Sequence, residues 1–258
     1  MNEHKFPLFT DIIDEDTEFI PLLSTEDEEQ MNAEAIPDEL AILPLRNTVL
    51  FPGVVIPITV GRDKSIRLIK DAYKGKRIIG VVSQKDVGIE DPAYDDLNKI
   101  GTIALIVKML RMPDGNTTVI IQGKKRFHLG EVTQLEPYFI AKVSPFEEIF
   151  PDKNDKEFNA LVYSLKEISL QIIQQSPNIP SEAAFAVKNI ESHSFLVNFI
   201  SSNMNTGVGE KQQLLEIADL KIRAEQVLKL LTRELQLLEL KNQIQSKVKG
   251  DIDQQQRE

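Results

Sequence analysis

The sequence predicts an α+β protein in which a β-rich region is followed by a helical one. Residues 40–148 consist of short β-branched and aliphatic runs separated by Pro and Gly, with one helix-like segment among them. After Pro151 the strand signals stop, and apolar residues recur at helical spacing. Residues 1–38 instead alternate short apolar runs with acidic runs, which is typical of a segment that cannot bury a core. We therefore divide the chain into an acidic, flexible extension (1–38), a β domain (39–150) and a helical bundle (151–258).

Prolines define the first part of the β domain. Pro44, Pro52 and Pro57 fall within a stretch of aliphatic residues at a density that forbids a helix and suits edge strands, bulges and turns. Gly53 and Gly61 permit a positive φ or close packing in the same stretch. The segment that follows predicts one helix over 62–74, because its apolar residues recur at spacings of three and four before Gly75.

The rest of the β domain predicts a curled sheet. Residues 78–84 form a buried strand, and residues 100–121 form a hairpin around Pro113–Asn116, which carries the residues that a tight turn requires. The basic triplet Lys124–Arg126 is interpreted as the solvated end of a strand, and further short strands follow it. Many short strands with one helix indicate a small mixed barrel.

The helical bundle contains four predicted helices, over 154–175, 181–189, 193–203 and 210–257, separated by prolines and glycines. The last segment carries an apolar stripe that is typical of a bundle core or a coiled-coil seam; its first members are Val227, Leu231, Leu235 and Leu238. Beyond Gly250 the sequence holds no stop signal, so we expect the helix to continue past Glu258.

Charge and composition exclude several classes of protein. The chain has 40 acidic and 30 basic residues, but residues 1–39 hold 13 of the acidic ones and Lys5 alone of the basic ones. The remainder is nearly neutral, so we expect no nucleic acid partner. There is no cysteine, no apolar run near the roughly 20 residues that cross a bilayer, and no signal-peptide pattern. We therefore expect a cytoplasmic protein that does not bind a membrane.

The residues needed for catalysis are missing as well. The nearest approach to a phosphate-binding loop, at Gly123–Lys125, has Thr118 in place of the first glycine and no hydroxyl after the lysine. The motifs HExxH and GxSxG are absent, and His4, His128 and His193 lie far apart in the sequence. The sequence therefore predicts a binding module without catalytic residues, metal or cofactor.

A family resemblance rests on several short motifs in order. They are LPLRN at 43–47, FPG at 51–53, Pro57, VGRDKS at 60–65, Gly101-Thr102, LRMPDG at 110–115, Gly123 with the basic pair and aromatic residue after it, LQLL at 235–238, IQSKVK at 244–249 and QQRE at 255–258. This set, over about residues 40–258, resembles the N-terminal region of ATP-dependent Lon proteases.

The resemblance implies a PUA-like β pseudo-barrel over about 40–148, followed by a helical bundle and a long helix. It also implies a non-catalytic region that captures unfolded or damaged protein substrates and supports self-association of the parent into a homohexamer. In such a parent, an ATPase domain using ATP and Mg and a Ser–Lys peptidase domain lie further along the chain. The parent would be an ATP-dependent serine endopeptidase, a hydrolase of protein quality control that degrades misfolded, damaged and short-lived regulatory proteins.

The residues of the resemblance fall into two groups. Those interpreted as structural are Pro44, Arg46, Phe51, Pro52, Gly53, Pro57, Gly61 and Arg62. Leu110 and Met112 are the candidate substrate-binding residues, because apolar and flexible side chains beside an exposed turn suit loose recognition of unfolded segments. The alternative is that both face the barrel core.

Two other functions remain open at this point. One is a stand-alone Lon-domain protein acting as an adaptor or ligand-binding module, against which the absence of a helix stop before Glu258 argues. The other is a PUA-like RNA-binding protein, against which the nearly neutral body and the aromatic content of 6% argue.

Overall fold

The computed structural model describes residues 23–113 and 115–255. In it the β-rich region forms six strands and one α-helix, and a further helix precedes the first strand. In chain order the elements are α1 (Thr25–Ala33), β1 (Glu39–Leu45), β2 (Val55–Val60), α2 (Asp63–Lys74), β3 (Ile78–Ser83), β4 (Ile100–Arg111), β5 (Thr117–Gln134) and β6 (Ile140–Pro145). The predicted helix after residue 62 and the predicted hairpin are both confirmed.

Five of the strands close into a ring in the order β1–β3–β4–β5–β6, and β6 returns to β1. The β1–β3 pair is parallel and the other pairs are antiparallel. Strand β2 lies outside the ring, because it pairs with β5 over Thr117–Gln122 before β6 takes the same edge of β5 from Phe127. The mixed barrel predicted from the sequence is therefore confirmed.

The prolines of β1 and β2 occupy positions that do not need an N–H group. Ile42 donates its N–H to Phe139 on the β6 side of β1, and Pro44 faces the same edge two residues later, beyond the last β1–β6 pair. Pro44 therefore does not block the β1–β3 ladder, in which it lies opposite Val82. Pro57 lies in β2, which is an edge strand among the described residues and pairs with β5.

Part of the acidic extension is helical in the structure, over Thr25–Ala33. Ser24 and Asp27 form a capping box at the start of α1, and Met31 is buried where α1 packs against β5. The capping residues stabilise the start of this helix, and the buried methionine packs it against the barrel. The charge pattern of the sequence did not indicate either contact. The expectation for residues 1–22 lies outside the described residues.

Five helices follow the barrel: α3 (Lys156–Gln175), α4 (Ser181–Asn189), α5 (His193–Asn203), α6 (Val208–Glu216) and α7 (Leu220–Gln255). The prediction of one helix over 210–257 is wrong at residues 217–219. Asp219 accepts the N–H groups of Lys221 and Ile222 and so caps a new helix there. The same residue pairs with Ile149 in a short β-bridge, which joins the start of α7 to the chain that leaves the barrel.

The hydrophobic core crosses the expected boundary at residue 150. One buried cluster joins barrel residues such as Phe51 and Ile121 to helical residues such as Leu165 and Val227. A smaller cluster around Phe127 and Ile42 lies apart from it. Across residues 23–113 and 115–255, none of the helices has the length and apolarity to span a membrane.

Candidate functional site

The hairpin tip between β4 and β5 is a projecting apolar surface. Met112 and Asn116 close the turn through a backbone hydrogen bond of 2.9 Å, and Gly115 adopts a φ of +87°. From Val107 onward β4 has no buried residue, and Met112 is 42% exposed. The tip thus presents apolar side chains at the end of a strand that the barrel does not cover.

Leu110 and Met112 lie on the same side of the hairpin. Met109 packs against the main core, and side chains alternate between the two faces of a strand, so Leu110 faces away from that core. Leu110 is half-buried opposite Thr118, and it belongs to neither buried cluster. The structure therefore brings the two candidate substrate-binding residues together.

A small cavity of about 20 Å³ lies beside the start of α2. Its walls include Pro44, Leu68 and Phe139, and its rim includes Arg62 and Lys64. Lys64 forms an exposed ion pair of 2.8 Å with Glu136, which raises its pKa. The cavity has room for little more than one water molecule, so it can receive no more than a small apolar group.

Two arginines of the sequence motifs fasten the loop that follows β3. Arg62 Nη2 donates to Gln84 Oε1 at 2.7 Å, and Arg46 Nε donates to Val87 O at 2.7 Å. Gln84 in turn donates to Ile89 O at 2.9 Å. Burial, and then the charge of Arg46, lower the pKa of Arg62. These contacts hold the loop after β3 in place, and the interpretation of both arginines as structural stays a prediction.

The loop Phe51–Val54 joins the barrel to the helices. Two backbone hydrogen bonds join this loop to β5. Gly53 N donates to Gly123 O at 2.9 Å, and Gly123 N donates to Val54 O at 2.8 Å. Gly53 has a φ of +77°, and a Cβ atom there would lie 2.8 Å from Phe195 of α5. Asn198 Nδ2 donates to Pro52 O at 3.2 Å from the same helix. We call this contact the loop seam.

A second contact between barrel and helices consists of charged groups, and we call it the arginine seam. Arg126 of β5 donates through Nε to Glu148 at 2.9 Å and through Nη1 to the carbonyls of Leu215 and Ile217 at the end of α6. Arg223 of α7 is completely buried, and its three guanidinium nitrogens have no hydrogen-bond partner within residues 23–113 and 115–255. Burial, and then the neighbouring charge of Arg126, lower the pKa of Arg223 to about 9.

The prediction that Lys124–Arg126 forms a solvated strand end is wrong for Arg126. Its side chain is buried in the arginine seam, with its guanidinium 4.2 Å from the centre of the Phe146 ring. The carbonyls that it binds come from residues about 90 positions later, so the triplet itself carried no signal of this burial.

The described ranges 23–113 and 115–255 contain titratable side chains at several places in the fold. These ranges hold no group of three or more His, Asp or Glu side chains suited to a metal ion. His128 is exposed on β5 beside the Phe146 ring, whereas His193 begins α5, where burial lowers its pKa. The features described above are exposed apolar side chains and structural ion pairs.

A comparison with known sequence families identifies the family of this chain. Residues 39–233 match the sequence family described as the ATP-dependent protease La (LON) substrate-binding domain. The chain belongs to this family. The match runs from the first residue of β1 into α7, so the family domain includes both the barrel and the helices.

Relatives and solved structures agree with this assignment. The chain is 60% identical to a Lon protease of Flavobacterium johnsoniae over all of its own length and 32% of that protein, and 51% identical to one of Cytophaga hutchinsonii over 95% of the chain and 30% of that protein. It therefore spans about a third of the length of these curated relatives. The N-terminal domain of Mycobacterium avium complex Lon protease has the same fold, with a TM-score of 0.62 at 21% identity over 75% of this chain and 98% of that one. A Lon N-terminal domain protein from Xanthomonas campestris superposes with a TM-score of 0.53 at 20% identity, over 74% of this chain and 97% of that one.

Proposed function

We propose that this region captures unfolded or damaged polypeptides for a Lon-type ATP-dependent protease and does not itself catalyse a reaction. The observation that carries the proposal is the match of residues 39–233 to the Lon substrate-binding domain. The hairpin tip supplies a surface of suitable chemistry, because Leu110 and Met112 lie together on a face away from the main core. Flexible apolar side chains of this kind can pack against many different sequences.

The affinity of one such surface for an unfolded chain is expected to be low. Ordering a flexible polypeptide offsets much of the apolar gain, so we expect a Kd in the micromolar range or weaker, about 1 μM to 1 mM. In a homohexamer several weak sites would act on one substrate through effective concentration. Weak single sites therefore suit a parent that must accept many substrates.

The parent chain is proposed to be a serine endopeptidase with a Ser–Lys active site, working in the cytoplasm of the cell on misfolded, damaged and short-lived regulatory proteins. Its ATPase would use ATP and Mg, and neither group is proposed to bind residues 1–258. The names of the relatives support a protease as the parent, since they are Lon proteases of which this chain spans about a third. No nucleic acid or membrane partner is proposed.

The test is a titration of fluorescently labelled casein, which is largely unfolded, with the purified chain. The wild type should bind it, and the double variant Leu110→Ser/Met112→Ser should bind at least about threefold more weakly, because two apolar contacts are lost. The matched control is Val87→Ser, an exposed apolar residue in the loop after β3. Equal binding by wild type and double variant would remove the hairpin tip from the proposal, and no binding up to 1 mM, on the order of the weakest affinity expected, would overturn it.

A further inference from the structure

A second cavity lies in the helical region, open to solvent, about 60 Å³ in volume and lined by residues of α3, α4, α5 and α7. Its floor is apolar and includes the buried residues Ile172, Ile200 and Leu231. Its lining also includes Ser169, Asn203 and Glu234, which bring polar atoms to an otherwise hydrophobic space. We call this cavity the helical groove. A few polar groups on an apolar wall are typical of a ligand site.

The polar atoms of the helical groove have unused hydrogen-bonding capacity. The Ser169 hydroxyl is buried and has no partner in the structure. Asn203 donates through Nδ2 to Phe199 O at 2.8 Å, which leaves its Oδ1 available as an acceptor. Glu234 Oε2 accepts from Asn205 N at 3.3 Å, and its Oε1 accepts no hydrogen bond from the described residues. The cavity is therefore lined by one buried hydroxyl without a partner among the described residues and by two half-buried side chains, Asn203 and Glu234, that can each accept a further hydrogen bond.

The negative charge of the groove is offset only in part. Glu234 is half-buried, and burial raises its pKa, while the charge of Lys211 acts against that rise. Lys211 does not form a direct ion pair with Glu234 among the described residues, and its Nζ donates to Ser202 O at 2.6 Å. A carboxylate that is partly removed from water and has no direct ion pair favours a bound cation.

We propose that the helical groove binds a lysine side chain of a captured polypeptide. The aliphatic stem would lie on the apolar floor, as lysine stems do on hydrophobic surfaces. The ammonium group has three donors and no acceptor, which matches the three acceptors on Ser169, Asn203 and Glu234. The negative charge of Glu234 selects the cation over an apolar side chain of similar length. This inference rests on the proposed function, because it assumes that the region binds polypeptide.

The experiment uses the ¹⁵N-labelled chain, titrated with N-acetyl-lysine methylamide and observed by amide chemical shifts. The probe should shift the amide signals of Ser169 and Asn203, with a Kd in the millimolar range or about 1–10 mM, as expected for a single side chain. N-acetyl-norleucine methylamide, which lacks the ammonium group, should bind at least about tenfold more weakly because Glu234 then has no cation to contact.

The variant Glu234→Gln keeps the shape of the side chain and removes its charge, so it should lose the preference for lysine over norleucine. Its melting temperature is measured as well, so that a loss of the lysine preference is distinguished from a loss of folding. The control Glu239→Gln changes an exposed carboxylate of the same helix and should bind the lysine probe as the wild type does.

Equal shifts by both probes, or a lysine preference that survives Glu234→Gln, would overturn the inference. Casein binding is measured on the same variants. Casein binding without lysine binding would reject the helical groove and leave the proposed function standing. Lysine binding without casein binding would reject the proposed function, and with it the assignment of the lysine to a captured polypeptide.

Discussion

The loop seam and the arginine seam both join the barrel to the helices, but they use opposite chemistry. In the loop seam, backbone hydrogen bonds and apolar contacts leave no room for a further atom at Gly53 or Gly123. In the arginine seam, Glu148 is hydrogen-bonded to Arg126, and the guanidinium nitrogens of Arg223 have no hydrogen-bond partner among the described residues. The first contact depends on shape and the second on charge.

The difference indicates which seam holds the two regions together. Close-packed apolar contacts with satisfied backbone groups stabilise the folded state directly. A buried charge is stabilising only when its partners replace the lost water, and Arg126 meets this condition largely while Arg223 does not. The free energy of unfolding should therefore fall when the loop seam or Arg126 is altered, and it should change little when Arg223 is replaced.

The largest effect is expected for Gly123→Ala. The new Cβ atom would lie 2.2 Å from Phe51 O, which is backbone and cannot move without opening the loop seam. We expect the free energy of unfolding to fall by about 3 kcal/mol or more, measured by urea denaturation. Gly61→Ala is the matched control, because no atom lies within 4 Å of the Cβ position there. Equal stability of the two variants would show that the loop seam can relax.

The next effect is expected for Arg126→Met. The change leaves Glu148 and two carbonyls at the end of α6 without their donor, which should lower the free energy of unfolding by about 2–4 kcal/mol. The double variant Arg126→Met/Arg223→Met should lose more than the sum of the single losses, because each single variant already removes the repulsion between the two cations and the sum counts that gain twice. Strict additivity in this cycle would argue against the repulsion.

A smaller effect is expected for Leu23→Ala, which tests whether the chain before α1 contributes to the loop seam. A Cβ atom on Gly53 would lie 2.9 Å from Leu23 Cδ2, so this half-buried leucine packs on the loop. Its truncation should lower the free energy of unfolding by about 1 kcal/mol. Leu135→Ala, at an exposed position, should leave stability unchanged and is the control. A similar value for both would separate Leu23 from the seam.

The smallest effect is expected for Arg223→Met, with no loss or a gain of about 1 kcal/mol at pH 7, because methionine removes an uncompensated buried charge. The pKa of Arg223 is lowered to about 9, so the unfolded chain binds more protons than the folded one above that pH. The wild type should therefore gain stability relative to the variant as pH rises above about 9. Thermal melts of both proteins at pH 7 and pH 10, with pH 10 chosen roughly one unit above that pKa, measure the difference. A loss of more than about 2 kcal/mol at pH 7 would mean that Arg223 has a partner.

Local signals in the sequence predicted most of the elements. The hairpin follows from its turn residues, and α3, α4 and α5 begin and end within about two residues of their predicted limits, as prolines and capping residues dictate. The break at Asp219 was missed because it depends on a bridge to Ile149, which is 70 residues away. The helical groove could not be predicted from the sequence for a similar reason. Its acceptors Ser169, Asn203 and Glu234 lie on three helices and meet only through tertiary packing.

Helix α7 is anchored at its first residue and exposed towards its far end. Its first residue is hydrogen-bonded to Ile149, its first half packs into the core, and residues 243–249 are exposed. The 13 residues beyond Asn242, up to Gln255, span about 20 Å at the rise of an α-helix. A tilt of about 10° at the packed part would thus carry the far end through about 3 Å. A small rotation of the packed part of α7 therefore displaces its exposed end by about the length of a hydrogen bond.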